Sequence, residues 1–286
     1  MNDDLIVKIK KSFPVMSKSH KKIGNFIIEH SDKAAYLTAT KLGETIGVSE
    51  STVVRFAIEL GFKGYPEFQK SLKDLIRTNL TSVQRIAVAD NIIGASDVVS
   101  KVLTADMEKI KLSLDEVDRG TFEKAVELIL GAGTIYITGA RSAGMLADFL
   151  AYYFNLIFKN IVLIHTTSAS ELFEQMMHIS SDDVLFAISF PRYSKSTVNA
   201  VSYAKKKGAK VIALTDSEIS PIAQFSDSVL YAKSEMASFV DSLVAPLSII
   251  NALIVAVSLK NKNSLSDTLV ELEKIWQEFD VYETNN

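Results

Sequence analysis

The stretch GVSESTVVRFAIELGFKG, residues 47–64, decides how the start of the chain folds. On a helical wheel of about 100° per residue, Val53, Phe56, Ala57 and Leu60 fall on one side as a core stripe. Ser51, Thr52, Arg55 and Glu59 fall opposite. Ser49 stands where a helix N-cap belongs, and Gly61 is a natural stop. Two hydroxyls and a permanent cation on the outward face point to a surface that touches something.

The preceding residues set that helix in context. TATKLGETIG places Leu42 and Ile46 four apart, with Thr38 or Thr40 able to accept from free amides at the helix start. Gly47 and Val48 then form a short turn. Helix, tight turn and capped helix with a polar outer face is the helix-turn-helix arrangement, whose second helix enters the major groove. There Ser51 and Thr52 reach bases or phosphates, and Arg55 makes a forked contact to guanine or a phosphate. Ser49 at the cap and Lys63 just beyond the helix complete the expected DNA-binding set. A solvated helix face is the competing reading of spacing alone. Around this pair, SKSHKKIGNFIIEH reads as a helix carrying Ile23, Phe26 and Ile27 behind capping serines. A last helix begins near Pro66 and buries Phe68, Leu72 and Ile76.

The chain of 286 residues is long enough for two domains. Its 48% apolar and 23% charged composition is that of a globular protein. The absence of cysteine excludes a disulfide framework, thiolate zinc sites and cysteine nucleophiles, and it fits a reducing compartment. Residues 1–80 hold 13 Lys and Arg against 9 Asp and Glu, a balance of +4, and the remainder holds 18 against 25, or −7. A mildly basic head on an acidic body is compatible with nucleic-acid binding by the head. No secretory signal pattern opens the chain. The run LVAPLSIINALIVAVSL, residues 243–259, is interrupted by Pro246 and Asn251 and falls short of the roughly 20 apolar residues of a spanning helix. A buried helix, no membrane partner and a cytoplasmic location are the expectations.

Residues 78–130 read as a connector followed by helices, with Val99, Val102, Leu103 and Ile110 on related faces of one of them. From Gly131 the pattern alternates. TIYITG, NIVLIH, DVLFAIS, KVIALT and SVLYA are strand candidates separated by helical segments, which predicts a parallel sheet covered on both faces. Ligands of such sheets bind beyond the carboxyl ends of the strands. Two of those ends are rich in donors. In ITGARSAGML, small residues and Ser142 open a helix, and free amides there attract anions. In ISFPRYSKSTV, the residues Ser189, Arg192, Tyr193, Ser194, Ser196 and Thr197 crowd one junction, where Arg192 can grip a phosphate or carboxylate with two hydrogen bonds. An ordinary tight turn and a loop of helix caps are the respective alternatives. GARSAG lacks the glycine spacing of a dinucleotide fingerprint. His165 and His178 belong to no metal-spaced cluster, and Glu171 and Glu174 read as a solvated face or as an isomerase base. No metal and no cofactor are expected.

LTATKLGETIGVSESTVVRFAIELGFKGYPEF resembles the N-terminal domain of the RpiR (MurR/RpiR) family of bacterial transcriptional regulators. The signature residues are Val48, Ser49, Thr52, Val53, Arg55, Phe56, Leu60, Gly61 and Phe62. The later motifs GARSAG, ISFPRYSKST, AKKKGAKVIALTD and SPIAQFSD occur in the order of that family's sugar isomerase (SIS) domain. The resemblance implies an all-α helix-turn-helix head over residues 1–78, a connector with helices over 79–118 and an α/β SIS domain with a parallel sheet over 119–286. It also implies a regulator, not an enzyme. Such a protein binds double-stranded operator DNA as a homodimer or homotetramer and senses a small anionic metabolite, a phosphosugar or a relative of one. Ser142, Ser189, Arg192, Ser194 and Ser196 are then the effector-binding set. Many SIS domains carry S-x-S-G-x-T at the second loop, whereas this chain has Pro191 and Arg192 in place of a hydroxyl and a glycine, so its effector need not be a simple sugar phosphate. A phosphosugar isomerase with an accessory DNA-binding head is the alternative.

Overall fold

The computed structural model describes residues 4–77, 85–86, 97–166, 168–234 and 240–282. It divides into a unit of residues 1–102 with 236–241, and a unit of residues 103–235 with 242–286.

The first unit is helical: α1 Asp4–Ser12, α2 Lys18–Glu29, α3 Ser31–Ala34, α4 Ala39–Ile46, α5 Glu50–Glu59 and α6 Tyr65–Arg77. Each central helix starts where a hydroxyl can accept from a free amide. Ser17 accepts from His20 N, Thr38 from Lys41 N and Ser49 from Thr52 N. Gly47 ends α4 in the left-handed region at φ 75°, and the amides of Gly47 and Val48 both donate to Gly43 O at 2.9 Å. The turn packs so closely on α4 that a Cβ at Gly43 would lie 2.7 Å from Val48 O. The core stripe expected on α5 is present, since Val53, Phe56 and Ala57 are fully buried. Phe56 and Phe68 meet edge to face at 5.8 Å, with Phe62 on the same ring at 5.4 Å. The Ile76 side chain, expected in this core, lies outside the described residues.

In the second unit five parallel strands, β1 Ile135–Gly139, β2 Ile161–Ile164, β3 Val184–Ile188, β4 Lys210–Thr215 and β5 Ser228–Tyr231, lie in the order β2-β1-β3-β4-β5. The helices are α7 Val98–Glu116, α8 Arg119–Leu130, α9 Ser142–Ile157, α10 Ala169–Gln175, α11 Lys195–Lys206, α12 Val244–Lys260 and α13 Lys262–Glu278, with α7 entering this unit at Leu103. Side chains of alternate strand residues feed two cores. Ile137, Phe186 and Leu214 pack with α8, α9 and α12, whereas Tyr136, Leu185 and Ala213 pack with α10 and α11. Burial on both faces is why β3 reads as the unbroken apolar run VLFAI.

One helix differs from what its periodicity suggests. α7 forms, but the apolar face it carries is open: Val99 is 70% exposed and Leu103 58%. Its buried positions are polar instead. Ser113 Oγ accepts from Lys233 N at 2.9 Å, and Lys109 donates to Ala105 O at 3.2 Å. α12 buries Ile250, Leu253 and Val257 but exposes Val255 and Leu259. Together α7, α8 and α12 frame an apolar groove of about 600 Å³, lined by Leu114, Phe122, Ile249 and Leu259 among others. Among the described residues no single helix is long and apolar enough to cross a membrane.

Candidate DNA-reading face and effector pocket

The outward face of α5 presents Ser51 and Arg55 exposed and Thr52 partly exposed. The Arg55 guanidinium folds back and donates from Nε to Ser51 O at 3.3 Å, a bond weak enough to exchange for a nucleic-acid acceptor. Ser49 Oγ lies 2.9 Å from Ser51 Oγ and 2.8 Å from Thr52 Oγ1. Ser49 therefore orders the helix entry as well as facing it. Thr40 donates to Glu50 at 2.7 Å, which clamps α4 to the first turn of α5. Lys63 is exposed just past the helix end. Glu59 is drawn aside: its Oε2 lies 2.6 Å from His20 Nδ1. Of the expected set, Ser49, Ser51, Thr52 and Arg55 lie on the first turns of α5, whereas Lys63 lies beyond its opposite end. Ile58, on the same face and 52% exposed, was not in that set.

In the second unit, the strand order places a topological switch point between β1 and β3, where chain connections leave in opposite directions, the place at which ligands of open α/β sheets bind. Gly139 pairs with Ile188, so the loops after β1 and β3 emerge side by side. These are the two donor-rich loops.

The first loop is backbone-driven. A Cβ at Gly139 would lie 2.4 Å from Ala143 O, so only glycine lets strand and helix approach this closely. Arg141 at the N-cap of α9 adopts φ 59° and ψ −125°, strained for any side chain by about 1–3 kcal/mol. It makes no side-chain cap, and the exposed Ser142 follows as the first helical residue. α9 thus starts without a side-chain cap, and its Ala143 and Gly144 amides donate instead to Ala140 O at 3.2 Å and Arg141 O at 3.0 Å.

The second loop is driven by side chains. Ser189 is 2% exposed, and its main chain is tied to β4: Ser189 N donates to Leu214 O at 3.1 Å and Ser189 O accepts from Thr215 Oγ1 at 2.6 Å. Its own Oγ is buried without a partner. Arg192 is exposed. Ser194 accepts from Ser196 N at 3.2 Å as the N-cap of α11, so its hydroxyl already occupies the place where an anion would bind that helix. The expected effector set is therefore distributed unevenly. Ser142 and Ser189 lie on the two adjacent loops, Ser189 with an unpartnered hydroxyl, Arg192 is an exposed cation on the second loop, and Ser194 and Ser196 organise that loop.

A carboxylate missed in the sequence also belongs here. Asp216, 6% exposed at the end of β4, accepts from Tyr193 Oη at 2.9 Å and from Ser217 Oγ at 3.3 Å. The pair ThrAsp directly after the apolar run of β4 was its only signal. His165, at the end of β2, is exposed with Nδ1 3.5 Å from Asp148, and Thr166 donates to Glu171. Glu174 and His178 are exposed nearby in sequence. No group of three His, Asp or Glu suited to a metal ion forms among the described residues.

Two family models match the chain: a helix-turn-helix domain of the rpiR family over residues 4–79 and a SIS domain over residues 128–256. An HTH-type transcriptional regulator of Haemophilus influenzae is 26% identical over 231 residues, 79% of each chain. The sugar isomerase domain of an RpiR transcription factor from Sphaerobacter thermophilus superposes with a TM-score of 0.59 at 25% identity, covering 61% of this chain and 97% of its own. The Vibrio vulnificus NanR protein, complexed with ManNAc-6P, superposes with a TM-score of 0.60 at 21% identity, covering 99% of this chain and all of its own.

Proposed function

Because the chain belongs to the RpiR family of helix-turn-helix transcriptional regulators, we propose that it binds operator DNA through α5 and adjusts that binding to an anionic metabolite held at the β1/β3 switch point. The observation that carries the effector half is the buried, unpartnered Ser189 Oγ beside an α9 entrance with no side-chain cap. A buried hydroxyl without a partner costs free energy that a ligand oxygen recovers. Ser142, exposed at the positive end of α9, then takes the same anion, with Arg192 supplying a charge-assisted contact. The phosphosugar held by the V. vulnificus protein supports a phosphosugar or a close relative as the class.

Operator reading by one helix per protomer calls for two-fold pairing, with half-sites separated by whole helical turns. The open apolar groove of α7, α8 and α12 supports a homodimer or homotetramer. A monomeric mass in light scattering at micromolar concentration would contradict that assembly. The protein acts in the cytoplasm, where its DNA lies, and it binds its metabolite without turnover.

The rival reading, a phosphosugar isomerase, draws on His165 and Glu171 at the end of β2. Two assays on the full-length protein separate these readings. Selection from a random duplex pool should enrich two-fold symmetric sites, and a thermal-shift panel of sugar phosphates should yield at least one stabilising compound that phosphorus NMR finds unconverted. Conversion of that compound would favour the isomerase. Failure of every small anion to stabilise the protein would remove the effector.

A further inference from the structure

The DNA-facing side of α5 carries an exposed aliphatic residue, Ile58, beside the half-buried Val54. Ser51, Arg55 and Ile58 recur at i, i+4 and i+7, which keeps them within about 60° of one another around the helix. Ser51 and Arg55 are exposed, and Ile58 is 52% exposed. The helix cannot rotate to hide it, because Val53, Phe56 and Ala57 are fully buried and fix the orientation of α5. Glu59 does not screen it, because its carboxylate lies on the other flank, beside His20.

A single exposed isoleucine is ordinary on a protein surface. This one stands about 4.5 Å along the helix from Arg55, at 1.5 Å per residue, close to one base-pair step of roughly 3.4 Å. The seven-residue span from Ser51 to Ile58 is also the span over which a homeodomain recognition helix reads bases. In the major groove the apolar feature is the 5-methyl group of thymine. We infer that Ile58 packs against a thymine methyl beside the base pair addressed by Arg55, and so sets specificity at one position of each half-site. The inference rests on the reading of α5 as the DNA-binding helix. A lysine or arginine at this position would add affinity for any phosphate backbone. Isoleucine adds only apolar contact, which separates thymine from cytosine.

The test starts from the duplex selected by the full-length protein, in which each thymine is replaced singly by deoxyuridine, removing one methyl group and nothing else. Affinities are compared at fixed salt for the wild type, Ile58→Ala and Arg55→Ala. The expected result is one thymine per half-site whose replacement weakens wild-type binding about four-fold, the value of one buried methyl-sized group. Ile58→Ala should bind the thymine and uracil duplexes equally. A wild type insensitive at every thymine, or a sensitivity that persists in Ile58→Ala, overturns the inference while loss of binding in Arg55→Ala leaves the DNA-binding reading standing. Enrichment of no sequence by the wild type overturns both.

Discussion

Ser189→Ala should stabilise the unliganded protein and weaken its effector, an opposition of sign that only a hydroxyl held in reserve for a ligand produces. Ser189 is 2% exposed and its Oγ has no hydrogen-bond partner, so folding removes it from water without compensation. The penalty for such a group is about 1–3 kcal/mol. Its main-chain bonds to β4 are independent of the side chain and survive the substitution. Taking the lower end, the unit containing the sheet should gain about 1 kcal/mol, or roughly 2–4 °C in Tm for a unit of its size. Loss of a bond to an ionised ligand oxygen costs about 1.5–3 kcal/mol, so affinity should fall about ten- to a hundred-fold. Scanning calorimetry of the unliganded proteins and isothermal titration with the compound from the sugar-phosphate panel measure the two sides. An unliganded variant destabilised by a kcal/mol or more, or one with wild-type effector affinity, would refute the reasoning.

Gly43→Ala must push α4 from its turn, because the added Cβ would meet Val48 O at 2.7 Å; a loss of about 1–3 kcal/mol is expected in denaturant melts of the helical unit. Arg55→Ala should leave the circular dichroism melt unchanged, since the side chain is exposed, while operator binding weakens by about 1–3 kcal/mol in anisotropy titrations. Phe56→Ala, from a fully buried site, should instead cost about 3–5 kcal/mol and melt that unit. Burial raises the pKa of Asp227, yet hydrogen bonds from Val211 N and Lys205, with the Lys205 and Lys210 charges, hold it below the ordinary aspartate value. A carboxyl depressed in the folded state contributes stability above its unfolded pKa and loses it as pH falls through the folded value. Denaturant melts from neutral pH downward should therefore show the advantage of the wild type over Asp227→Asn shrinking below about pH 4.

What the sequence revealed and what it withheld follow from one distinction. The strands were legible because β3 and β4, buried on both faces, tolerate little but apolar residues, and the helix-turn-helix was legible because Thr38, Gly47, Ser49 and Gly61 each perform a local backbone task. Burial against a distant element leaves no such trace. Ser189 and Ser194 look alike in sequence, but one hydroxyl is buried without a partner and the other caps α11. Nothing in GARSAG announces that Arg141, and not a glycine, adopts the positive φ. On α7 the periodicity correctly marks a helix, but the apolar stripe is the uncovered side and the buried positions are Lys109 and Ser113. Ile58 was passed over because a wheel sorts residues into apolar and polar, and an isoleucine on the polar side breaks the sort.

The central claim is that one molecule couples two sites, and linkage tests it directly. The dissociation constant of the selected operator is measured with and without saturating effector, and that of the effector with and without saturating operator, on the same full-length protein. The account predicts that both constants change by the same factor, within about 5- to 150-fold, because coupling between binding sites is reciprocal. Operator affinity that is identical with and without the effector, despite saturation of the pocket, would contradict it.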